Sequence, residues 1–182
     1  MKVLLFMTTD RRHKDDFYPT PPEAVEALLA VEQFNARVWE PACGAGHITK
    51  VLRKHDHKVI STDLNDFGFG ETGIDFLFES KMRAETIITN PPYKLANQFV
   101  RHAINMGIKK HAWLLRLAFL EGQARYDMLY KTSPPASVHV FTKRLTIWRG
   151  DENAAWYGSS GKTPYAWFVW DTGATDTKVT WI

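Results

Sequence analysis

Two segments of this chain each end a β-like run in a turn that then leads towards a helix. The first is Glu40-Pro41-Ala42-Cys43-Gly44-Ala45-Gly46, which follows Ala36-Arg37-Val38-Trp39 and opens an amphipathic stretch. The second is Asn90-Pro91-Pro92-Tyr93, which follows the apolar run Thr86-Ile87-Ile88-Thr89. Strand, turn and helix in that order, repeated, require the strands to run parallel with helices as crossovers. The chain is therefore expected to form an α/β sheet, open and mostly parallel, with helices on both faces.

The remaining elements follow from periodicity and punctuation. A first helix is expected from Thr20, with Thr20 as its cap, Pro21 at the first helical position and Glu23 completing a capping box. Val25, Leu28 and Leu29 give it an apolar stripe. Strands are expected at 37–41, 58–63, 74–77, 86–89 and 112–115. A helix from Gly46 carries Ile48, Val51, Leu52 and His55 on one face. Another spans 94–106 and stops at Gly107, and a third spans 121–131, before Ser133-Pro134-Pro135. The tail differs: 138–141 and 165–170 read as strands with no helix between them, joined by a polar, glycine-rich stretch over 149–162. They predict an antiparallel pair at one edge, seven strands in all, and Trp167, Val169 and Ile182 imply that the tail packs.

The 182 residues suit one domain, 1–182, with no separate recognition domain. A net charge of +3 permits nucleic-acid binding without arguing for it. The single cysteine excludes an intrachain disulfide and fits a reducing cytoplasm. The apolar start Val3-Leu4-Leu5-Phe6-Met7 is too short for a signal-peptide core, and no stretch reaches membrane-spanning length.

A glycine-rich turn between strand and helix lets a ligand approach the backbone. Gly44 and Gly46 supply it here, with Pro41 and Ala42 leading in; the third glycine of the dinucleotide fingerprint is missing. Asp63 stands where a carboxylate can accept from both hydroxyls of a ribose. Asp75 could accept from an adenine amine, and Leu64 or Phe76 could cover the adenine face. Glu40, beside the turn, would repel a pyrophosphate but suits an ammonium. That tilts the cofactor from a dinucleotide towards S-adenosyl-L-methionine. At the second turn, the Asn90 side-chain oxygen and the Pro91 carbonyl are acceptors that can draw on the hydrogens of an aromatic amine and expose its lone pair. Pro91 and Pro92 keep the turn rigid, and Tyr93 can stack on a flat base.

At these residues the chain resembles the N6-adenine DNA methyltransferases, especially small phage- and prophage-type enzymes. Tyr18-Pro19-Thr20-Pro21-Pro22 is similar to that family's N-terminal cofactor motif, 40–46 to its glycine-rich motif and 61–64 to its acidic motif. Asp75-Phe76 is similar to its adenine-binding motif and 90–93 to its catalytic one. The resemblance implies a Rossmann-like class I methyltransferase fold, S-adenosyl-L-methionine as donor and DNA as partner. It also implies direct transfer to the N6 amine of a flipped-out adenine. Related motifs occur in RNA and protein-glutamine methyltransferases; the Tyr-x-Thr-Pro element favours DNA. A non-catalytic binding module on the same fold is the reading from another class.

The family's late segment supplies a second aromatic against the base, which points here to Trp148 or Phe141. Lys143, Arg144 and Arg149 are candidates for phosphate contact, as is the basic run 11–14. The seven histidines form no metal-ligand set, and Cys43 reads as a small buried filler rather than a nucleophile.

Overall fold

The structure, a computed structural model, describes residues 18–147 and 163–182. Seven strands form one sheet: β1 (Arg37–Glu40), β2 (Lys58–Ser61), β3 (Thr86–Thr89), β4 (Lys110–Arg116), β5 (Ser137–Val140), β6 (Tyr165–Asp171) and β7 (Lys178–Trp181). Their order across the sheet is β2-β1-β3-β4-β6-β5-β7. The first four run parallel, β6 is antiparallel to both β4 and β5, and β7 pairs parallel with β5. The antiparallel closing pair is as expected.

Alternation along the strands sends side chains into two cores. Trp39, Ile87, Trp113, Leu115, Phe168 and Trp170 join Phe99, Val100 and Ala103 of α3 (Ala96–Asn105) on one face. Val38, Ile88, Ala112, Leu114, Trp167 and Val169 meet α1 (Pro22–Val31) and α2 (His47–Lys54) on the other. Strands buried on both faces must be apolar at nearly every position, which is why 86–89 and 112–115 are legible as strands. The Trp167 indole N–H donates to the Ala24 carbonyl (2.7 Å) and locks α1 onto its face.

Four expectations change. Residues 74–77 form no strand: Asp75 caps a 3-10 turn, Phe76–Phe78, and the seventh strand is instead β7. Phe76 is 1% exposed, packed against Trp39, Phe99 and His102 with ring centroids 4.9–5.1 Å away, so it cannot cover a cofactor. Thr20 does not cap α1, whose N-cap is Pro21 without any side-chain hydrogen bond. The segment 121–131 is not a regular helix but one α-helical turn, Gln123–Arg125, running into a π-helical turn, Tyr126–Tyr130.

Away from the turns, Glu32 pins the C-terminus of α1 to the sheet. Its carboxylate accepts from Ser137 Oγ (2.7 Å) and Lys110 Nζ (2.8 Å) and pairs with His139 Nε2 (2.9 Å). Burial alone would raise its pKa, but the bonds from His139, Lys110 and Ser137 outweigh it and hold the value at about 2, against an ordinary 4.5. A depressed carboxylate pKa contributes stability above the unfolded value and loses it as pH falls towards the folded one. Between pH 4.5 and 2 the fold should therefore lose about 3 kcal/mol through this group. Glu32→Gln should remove that part of the acid limb in denaturant titrations and lower stability at pH 7. An unchanged limb would assign acid sensitivity elsewhere.

Candidate active site

The two turns meet at the C-terminal ends of β1 and β3, neighbours in the sheet and the place where open α/β sheets bind ligands. The Thr89 hydroxyl lies 3.5 Å from the Ala42 carbonyl, which closes the gap between them.

Residues 41–46 leave β1 in a tight turn. The Cys43 N–H donates to the Thr62 carbonyl (3.1 Å) and the Gly46 N–H to the Cys43 carbonyl (2.8 Å). Gly44 and Gly46 take the left-handed φ values of 50° and 78°. A Cβ on Gly46 would lie 2.4 Å from the Phe69 ring, which Lys50 and Arg53 flank at 5.6 Å. Gly46 is thus needed for its φ and for the Phe69 contact before any ligand is considered. Gly46→Ala should cost about 2–4 kcal/mol from backbone strain and overpacking together. Adding Phe69→Ala should return only the packing part, as read from denaturant midpoints. Full recovery would mean the backbone carries no strain.

Glu40, 1% exposed, points beneath this turn. Its Oε2 accepts from the Thr49 N–H (2.9 Å) and from the Thr49 hydroxyl, which also contacts Ser61 Oγ (2.7 Å). Burial raises its pKa to about 8 despite those bonds, with nearby Asp63 adding to the rise. Burial thus disfavours the charged form of this carboxyl in the free protein, and a cation beside it would favour that form. Asp63, 7% exposed, accepts from the Gly44 N–H on Oδ2 and the Asn65 N–H on Oδ1, both at 2.8 Å. Burial raises its pKa as well. Backbone N–H groups thus fix both oxygens, and the lone-pair capacity left over suits ribose hydroxyls. Leu64 is 56% exposed beside it, while the Asp75 Oδ1 is occupied by the Leu77 N–H (3.0 Å). Burial, then Glu40 and Asp63, push the Cys43 thiol to about 12, so it is no nucleophile at neutral pH.

Asn90 is where the structure is most specific. Its amide nitrogen donates to the Tyr18 carbonyl (3.0 Å) and to Thr20 Oγ1 (3.1 Å). Both N–H groups are used, which fixes the amide's orientation and sends its oxygen the other way. That oxygen, Oδ1, is buried and accepts no hydrogen bond from the described residues. A buried acceptor left without a donor is costly and calls for an explanation. Pro91 is buried, and Pro92 leads into a 3-10 turn, Tyr93–Leu95. The Tyr93 ring lies 5.3 Å from Tyr18, 5.8 Å from Tyr165 and 5.0 Å from the Arg116 guanidinium. Its hydroxyl is buried beside the Tyr165 and Asn90 side chains, and burial, then Tyr165, raises its pKa while Asn90 and Arg116 oppose the rise.

So Tyr18, Thr20, Asn90 and Tyr93 come together, as do Glu40, Gly44 and Asp63, while Pro21 is the N-cap of α1 and Phe76 belongs to the core. Phe141 packs beside Leu145 and Ile147 against the α1–α2 core, and Lys143 and Arg144 are exposed. Trp148, Arg149 and residues 11–14 lie outside the described residues. Thr49, Phe69, Arg116 and Tyr165 were not foreseen. Each acts through a partner distant in sequence, which leaves no local signal.

No protein-family model matches the chain, and no curated protein matches it. Solved structures do. A modification subunit provisionally assigned to a type I restriction enzyme from Vibrio vulnificus YJ016 is 12% identical with a TM-score of 0.63, over 91% of this chain and 47% of that one. The type I restriction-modification methyltransferase subunit from Streptococcus thermophilus is 14% identical with a TM-score of 0.60, over 89% and 46%. A chain from Lactococcus lactis, provisionally named a hemolysin, is 12% identical with a TM-score of 0.60, over 88% and 93%. This chain spans about half the length of the two restriction-system subunits. At such identities the likeness is one of fold, and the fold is that of the Rossmann-like methyltransferases.

Proposed function

We propose that the chain is an S-adenosyl-L-methionine-dependent methyltransferase acting on the N6 amine of adenine in DNA. The observation that carries this reading is the buried Oδ1 of Asn90, which no donor among the described residues satisfies. An amine hydrogen would satisfy it, and an apolar or purely accepting ligand would not. The fold shared with restriction-system methyltransferase subunits supports the DNA assignment.

The residues present fit the cofactor. Glu40 would answer the ammonium of its methionine part and Asp63 its ribose, with Leu64 against the adenine and Asp75 nearby. Tyr18 and Thr20, tied to Asn90, would line the methionine end. When bound, the cofactor supplies an electrophilic methyl group. The protein's own part is geometric and electrostatic. Asn90 Oδ1 and the Pro91 carbonyl accept from the amine, turn its lone pair towards the donor, and hold it at near-attack distance. Tyr93 stacks on the base, which must leave the duplex to arrive there.

A panel of unmethylated DNA, RNA and protein acceptors, each incubated with labelled methyl donor, tests the substrate class. Label in DNA alone is the expected result. Label in RNA or on glutamine would keep the chemistry and overturn the DNA assignment. No label in any acceptor, with the cofactor bound, would favour a binding module.

A further inference from the structure

Beside Tyr93, at the C-terminal end of β4, lies a cavity of about 290 Å³. Its walls include Tyr93, Phe119, Lys94, Arg116, Arg125 and Ala96, and among the described residues no carboxylate. Three cationic side chains therefore border one small space, with no counter-charge in its lining among the described residues. Arg116 and Lys94 form no ion pair among the described residues. Arg125 is different: it stacks on Phe119 at 4.1 Å and donates to Asn97 Oδ1 (2.9 Å) and to the carbonyls of Ala118, Phe119 and Glu121. Those acceptors are neutral, so its geometry is fixed and its charge is not cancelled. Ala96 opens α3, a ten-residue helix with no side-chain cap, and adds the positive end of the helix dipole. Such a cavity repels cations and suits an anion joined to a flat ring.

We propose that this cavity seats a phosphodiester group next to the target nucleotide, gripped by Arg116 and Lys94 while Arg125 shapes the wall. The inference rests on the proposed function in taking a polynucleotide as substrate. Arg116 links the two parts, since its guanidinium already sits 5.0 Å above the Tyr93 ring. A phosphate held there would bring the attached base to the ring. Arg116 is in this sense a positioning residue.

The test measures binding of DNA and RNA oligonucleotides of one sequence across a salt series, for the wild type, Arg116→Ala, Lys94→Ala and the double variant. Each single change should weaken binding uniformly across sequences and lower the slope of log K against log salt by about 1. Arg116→Lys should restore the slope, and cofactor affinity, read separately, should stay unchanged as a check on folding. Equal loss on DNA and RNA assigns the subsite to any phosphodiester strand; loss on DNA alone assigns it to DNA. An unchanged slope in the double variant overturns the inference, even where the wild type methylates DNA. If the wild type methylates no nucleic acid but the slopes still fall, the proposed function fails and the subsite stands. A wild type that binds no oligonucleotide overturns both.

Discussion

Asn90→Ala should lower the single-turnover rate of methyl transfer by about 10²–10³-fold, the usual effect of removing one preorganised polar group from the reacting centre. Cofactor affinity should fall far less, because Asn90 reaches the cofactor end only through Tyr18 and Thr20. The residual effect has a defined source: the variant loses both donors that tether the N-terminal motif. Thr20→Val isolates it, removing one tether while leaving Asn90 Oδ1 in place, and should change the rate much less. Single-turnover transfer with equilibrium cofactor titration separates the two. Full turnover in the Ala variant would remove Asn90 from the mechanism.

The second large effect belongs to Glu40, and its two halves have opposite signs. With a pKa raised from 4.5 to about 8, the buried carboxyl favours the fold below pH 4.5, and that contribution is lost as pH rises through 8. The loss amounts to about 4 kcal/mol in the ligand-free protein. Glu40→Gln cannot ionise, so its stability relative to the wild type should improve by that amount between pH 4.5 and 8.5, whatever its baseline. Function should move the other way. An ammonium favours the ionised form, so cofactor binding releases a proton and should tighten as pH rises from 6 to 8. The variant should bind about 2–5 kcal/mol more weakly, with that pH dependence gone. Unfolding and cofactor titrations over the same pH range check both halves. A variant that binds cofactor normally would show that Glu40 serves the fold alone.

The parts of this molecule legible in its sequence are those whose signal is local. Strand 86–89, the helix after Gly46 and the stop at Gly107 follow from apolar periodicity and glycine. The Asn90 turn stands out because Asn90 and then two prolines follow directly on an apolar strand. The misses come from competition between local and tertiary preferences. Thr20 and Glu23 match a capping box, yet the Thr20 hydroxyl accepts from Asn90, seventy residues away, and α1 starts at Pro22 with Pro21 as its N-cap instead. Phe76-Leu77-Phe78 has strand-like composition, but Phe76 is buried, Leu77 packs only partly against the core, Phe78 is exposed and Asp75 caps the turn. Strand β7 was missed because it is a short edge strand whose side chains are mostly exposed, which erases the apolar pattern. The role of Thr49 under Glu40 could not be read from spacing, because only the folded turn brings them together.

The most direct measurement is mass-spectrometric detection of N6-methyladenine in unmethylated genomic DNA after incubation with the protein and S-adenosyl-L-methionine, alongside the Asn90→Ala variant. The account predicts N6-methyladenine with the wild type and almost none with the variant. Cofactor binding without methyladenine, or equal amounts from both proteins, would contradict it.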